Sequence, residues 1–151
     1  MENKYYIPTI DEFYVGFEHE FMNGDRWEDN IICPRDLITE TSGGDPCENY
    51  FEEIYKGLRD VRVKYLDKED IESLGWEHIG SGWYNLKVVP GSLGYWNYVR
   101  LRKWQKNELF IRGYRNDPSE NEDTENEMLF TGNIKNKSEL KKLMKQLNIN
   151  E

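Results

Sequence analysis

Apolar and polar positions alternate with a period of two along much of this chain, so strands are the elements it predicts most often. Over residues 14–22, Val15, Phe17, His19 and Phe21 fall on one side, together with Phe13 just before them. Tyr14, Gly16, Glu18, Glu20 and Met22 fall on the other, which predicts a strand with the first set buried. Ahead of it, Thr9-Ile10-Asp11-Glu12 has the spacing of a capping box and opens a short turn. Asn23-Gly24-Asp25 is a turn signal, and residues 27–33 are expected to pair back until Pro34 stops them. A polar, glycine-rich loop at residues 39–44 leads into Asp45-Pro46, a helix start whose stripe Cys47, Tyr50, Phe51, Ile54 and Tyr55 ends at Gly57.

Residues 61–66 read as a strand, and Asp67 as the N-cap of a short helix with Ile71 and Leu74 inward. Gly80-Ser81-Gly82 turns into a strand over residues 83–89 that Pro90 ends. The clearest hairpin follows: a strand at 96–104, a turn at 105–108 and a strand at 109–114. Residues 128–131 make a last short strand. Ser138 is expected to cap a closing helix in which Leu140, Leu143, Met144 and Leu147 repeat at helical spacing, with lysines between them. This order predicts an α+β fold, a mainly antiparallel sheet (a β-meander) with short helices and a C-terminal helix, in a single domain over residues 1–151.

Composition narrows the functional classes. With 20 Lys and Arg against 29 Asp and Glu, the net charge is −9, which argues against a general binder of duplex DNA. No apolar run is long enough to span a membrane and the first residues lack a signal-peptide core, so a cytoplasmic protein is expected. Cys33 and Cys47 fit neither a metal knuckle nor a disulfide framework, and two histidines exclude a three-histidine zinc site within one chain. There is no P-loop, no dinucleotide fingerprint and no HExxH, and no cofactor is implied. Five tryptophans and ten tyrosines leave aromatic surface outside the core, so a homodimer is expected.

One segment departs from the acidic background. Residues 100–115 hold six Arg and Lys against Glu108 alone, a local charge of +5. Alternation puts Trp96, Tyr98, Arg100, Arg102 and Trp104 on one face with Phe110, Arg112 and Tyr114, while Val99, Leu101, Leu109 and Ile111 take the other. Those eight residues are the candidate ligand-binding set: arginine forks hold phosphates and rings stack on bases. A half-buried sheet surface held by cation–π pairs would carry the same pattern. The acidic loop at residues 117–127 either folds over this face or stays solvated.

For catalysis the candidates are poorer. Glu18-His19-Glu20 splits across two faces, Ser81 lacks the surroundings of a nucleophile elbow, and no catalytic residue is assigned. Glu18 and Glu20, two apart on one strand, are the carboxylate pair on which a small metal-dependent enzyme acting on nucleotides or nucleic acid would rest.

Residues 63–76 (VKYLDKEDIESLGW) and 129–140 (LFTGNIKNKSEL, continuing as KKLM) resemble segments of small uncharacterised proteins encoded by bacteriophages and prophages. The opening IPTIDEF, with Gly16-Phe17-Glu18 after it, is similar to their start. The resemblance implies a phage accessory protein without known catalytic residues. It would bind a host protein or an anionic, nucleotide-like ligand in the host cytoplasm, in takeover of the host or in countering its defences.

Overall fold

A computed structural model describes residues 3–34, 50–57, 59–87 and 96–149. Two antiparallel sheets and a few short helices make it an α+β protein, and the chain divides into two units, residues 1–65 and 66–151.

The first unit is built on a four-stranded sheet in the order β1-β4-β2-β3, from β1 (Tyr5–Tyr6), β2 (Glu18–Asn23), β3 (Arg26–Ile31) and β4 (Val61–Lys64). The capping box forms as the spacing predicts: Glu12 accepts from the Thr9 backbone N–H at 2.8 Å and its hydroxyl at 3.0 Å, over a single 3-10 turn. The strand expected over 14–22 starts only at Glu18, because Gly16 (φ +94°) turns the chain and leaves Val15 49% exposed. Phe13, Phe17 and His19 are buried as the alternation requires, alongside Ile32, Val61 and Val63. Helix α1 (Tyr50–Tyr55) ends before Gly57 (φ +70°), and the expected start at Asp45-Pro46 lies outside the described residues. Ile54 packs on the core, whereas Tyr55, assigned to the same stripe, is 72% exposed.

The second unit is a meander of five strands in sequence order: β5 (Glu77–Gly80), β6 (Trp83–Lys87), β7 (Tyr98–Lys103), β8 (Glu108–Tyr114) and β9 (Asn126–Asn133). One face carries Tyr84, Leu86, Val99, Leu101, Leu109 and Ile111, all buried, and they share a core with Ile71 and Trp76 and with Leu140, Leu143 and Met144 of α3 (Lys137–Gln146). Each such fully buried side chain contributes about 1.5–3 kcal/mol, so this face fixes the sheet. Helix α2 (Lys68–Ser73) is capped by Asp67, which accepts from the Asp70 N–H at 3.0 Å. Helix α3 starts earlier than expected: Asn136, not Ser138, is the N-cap and accepts from the Glu139 N–H at 2.9 Å. The expected strand at 83–89 is described as far as Lys87, and Pro90 lies outside the described residues.

Candidate functional site

Because β6, β7 and β8 run in uninterrupted antiparallel register, their outward residues line up in rows across the sheet. Trp83, Arg102 and Phe110 form one row; Asn85, Arg100 and Arg112 form the next; Tyr98 and Tyr114 form a third. Successive rows are two residues apart, about 6.6 Å. Trp104 extends the set at the hairpin end, and Glu77 and Met128 close the Arg100 row at the two edges.

The rings and guanidiniums are interleaved as alternation predicts. Arg102 lies 5.0 Å from the Trp83 ring centroid and 6.0 Å from that of Trp104, and Arg100 lies 5.8 Å from that of Tyr114. Phe110 stands edge-on between Trp83 and Trp104, 5.5 Å from each, and is only 9% exposed. It props the two indoles apart. Trp104 is 54% exposed and anchored by its Nε1–H to Glu108 at 3.0 Å, so its ring is presented at a fixed orientation.

Most telling is what these arginines lack. Among the described residues, Arg100, Arg102 and Arg112 form no ion pair, and each has a buried Nε–H that meets no acceptor in the protein. Arg112 donates from Nη1 to Asn126 Oδ1 at 3.0 Å. The buried Oδ1 of Asn85, in the same row, also goes unpartnered. An unsatisfied buried polar group costs about 1–3 kcal/mol, more when charged, and three on one face are a site suited to an anion. Guanidinium forks favour bidentate oxyanions, and Tyr98, Trp104 and Tyr114 offer π faces beside them. Glu77 and Glu108 stand at the margins, and the rows between supply no histidine or carboxylate to act as a general base.

Seven of the eight sequence-predicted residues come together here, and Trp96 does not share their face. Its ring lies over Gly113, where a Cβ would come within 2.7 Å of its Cγ, and Gly113 shares the aliphatic face with Leu109 and Ile111. The physical reason is that β7 begins at Tyr98, so strand alternation does not bind Trp96, and the missing side chain at Gly113 opens room for the indole. Trp83 and Asn85 belong to the site although the hairpin pattern alone did not include them. The signal was present in the alternation of Trp83, Asn85 and Lys87 against Tyr84 and Leu86.

Among the described residues, no carboxylate of the acidic loop pairs with Arg100, Arg102 or Arg112. Arg115 bonds Glu125 at 3.2 Å, and Asp117 holds a turn through the N–H of Ser119 at 2.9 Å. The candidate catalytic residues are committed elsewhere. Glu20 gives both carboxylate oxygens to Arg62, at 3.0 and 3.1 Å. His19 is 4% exposed between the Phe13 and Phe17 rings, and Ser81 (φ 49°) makes the β5–β6 turn. Tyr84, buried on the far face, has its phenol pushed above 10.0 by desolvation first and then by Glu72, Asp67 and Glu69.

Among the described residues, no helix is long and apolar enough to cross a membrane. Compared with known proteins, the chain matches no protein-family model, no curated protein and no solved structure.

Proposed function

We propose that this chain is a non-catalytic binding protein that takes an anionic, nucleotide-like ligand on the arginine–aromatic face of its five-stranded sheet. In this reading it is a phage accessory product that acts on host machinery or host signals, including those of host defence. The observation that carries the reading is the trio Arg100, Arg102 and Arg112. These are half-buried guanidiniums on one face that, among the described residues, have no carboxylate partner and each hold an Nε–H with no acceptor. Cross-strand repulsion and desolvation both oppose this arrangement, and an oxyanion relieves both. The flanking rings favour a ligand with a planar group over a bare inorganic anion. The same reading takes the chain as a homodimer, with exposed Trp104 and Met128 available to an interface.

The test is calorimetric titration of the full chain with a mononucleotide, a short single-stranded oligonucleotide and inorganic pyrophosphate. At least one planar ligand is expected to bind more tightly than pyrophosphate. Arg102→Ala is expected to weaken that binding and flatten its salt dependence, whereas Trp104→Ala costs about 1–3 kcal/mol with the salt slope retained. Absence of heat with all three would leave the face to a protein partner and overturn the anionic-ligand reading.

A further inference from the structure

From the first unit, independently of the arginine face, we infer that the gap at the end of β1 is a strand-addition slot for an extended basic peptide of a partner protein. The β1–β4 ladder is short: the Tyr65 N–H donates to the Lys4 carbonyl at 2.9 Å, and the pairing ends at Tyr6↔Val63. The next pair would be Val61 with Pro8, and proline has no N–H to give. On its other side β4 bonds β2 through Arg62 and Asp60, the latter accepting from the Met22 N–H at 3.0 Å. Alternation therefore turns the N–H and C=O of Val61 toward the β1 side, as it does those of Val63 and Tyr65. Among the described residues they have no ladder partner there, and Val61 lines the groove beside them. An unpaired strand edge of this kind is a template for pairing with another chain.

The space beside them is large enough to take one. A groove of about 720 Å³ opens there, with Tyr5, Trp27 and Arg62 on one wall and Ile10 and Ile54 on the other. Its rim carries Ile7, 80% exposed, and Tyr55. An extended segment entering the slot would place the residue opposite Val61 toward Ile10 and Ile54, so that residue is apolar. Its two neighbours would share the face of Asp60 and Arg62. Arg62 is already neutralised by Glu20 and clamped between the Tyr5 and Trp27 rings at 3.8 and 4.2 Å. Arg59, which also lines the groove, is paired with Glu53 at 2.7 Å, so the exposed carboxylate of Asp60 is the charge those neighbours meet. The unit around the slot has 7 Lys and Arg against 15 Asp and Glu, a net charge of −8 over residues 1–65. Charge complementarity thus selects a basic–apolar–basic segment.

The experiment is an NMR titration of the ¹⁵N-labelled full chain with a six-residue peptide of alternating lysine and valine, capped at both ends. The Val61 amide is expected to shift and to exchange more slowly with solvent. A peptide N-methylated at its central residues should lose the effect, and a glutamate-for-lysine peptide or Asp60→Asn protein should bind roughly tenfold more weakly. Ile7→Lys, at an exposed rim position, removes an apolar contact and adds a like charge, and should weaken binding of the basic peptide without altering amide dispersion elsewhere. The inference is overturned if the Val61 amide stays unmoved at peptide concentrations on the order of 1 mM, or if the N-methylated or acidic peptide binds as well. It is equally overturned if Val61 shifts with protein concentration alone, because the occupant is then a second copy of the chain.

Discussion

Arg100 and Arg112 stand directly opposite each other on neighbouring strands, their Cα atoms about 5 Å apart, and among the described residues neither pairs with a carboxylate. Like charges in that position destabilise a sheet by a few tenths to about 1 kcal/mol. Replacing one of them with an apolar side chain of similar length should therefore stabilise the fold. Arg100→Leu is expected to raise the melting temperature and to abolish the binding of nucleotide-like anions. A melting temperature that falls would mean the arginine contributes to structure, as the cation–π surface alternative requires.

The two faces of β7 should respond differently to truncation. Leu101 is fully buried, and Leu101→Ala should cost about 2–5 kcal/mol. Tyr98 is half-buried on the arginine face, so Tyr98→Ala should cost clearly less while weakening ligand binding. Chemical denaturation of both variants reads the difference, and equal losses would place the Tyr98 ring in the core.

Gly113 is predicted to be intolerant of any side chain. Gly113→Ala puts a methyl group 2.7 Å from Trp96 Cγ and should cost about 1–3 kcal/mol, with a shift in tryptophan emission as the indole is displaced. Combining it with Trp96→Ala should give a total loss smaller than the sum of the two single losses, because the overlap is then gone. Strict additivity would show that the ring does not lie there.

Tyr84 sets an alkaline limit to stability. Its phenol ionises above 10.0 in the folded chain because of burial and the nearby Glu72, Asp67 and Glu69, whereas the unfolded chain releases that proton at 10.0. Its contribution is therefore complete below pH 10 and is lost as pH rises through the raised folded value. Denaturant midpoints measured from about pH 9 to 11 should fall less steeply for Tyr84→Phe than for the unaltered chain.

The α+β class, the hairpin and its two faces were legible because period-two alternation survives wherever one face of a strand is buried, as at Val99, Leu101, Leu109 and Ile111. Where the pattern misled, local geometry had overridden it. Gly16 turns the chain at positive φ and cuts the first strand short, and Trp96 precedes the ladder and finds a gap at Gly113. Asn136 displaced Ser138 as the cap because both residues have capping side chains two positions apart, and sequence spacing does not choose between them. Strand β5 escaped notice because Glu77-His78-Ile79-Gly80 is too short and too polar to show a period. The missing acceptors around the arginines were invisible in the sequence, since they depend on which strands become neighbours.

The central claim rests on three Nε–H groups, and they can be observed directly. In ¹H–¹⁵N spectra of the arginine side chains, titration with a mononucleotide should shift the Nε–H signals of Arg100, Arg102 and Arg112 and slow their exchange with solvent. Arg26, an exposed arginine beside Asp25, serves as the reference and should remain unchanged. Signals of the three that stay fixed while the nucleotide binds, or that move no more than that of Arg26, would contradict the assignment of this face as the ligand site.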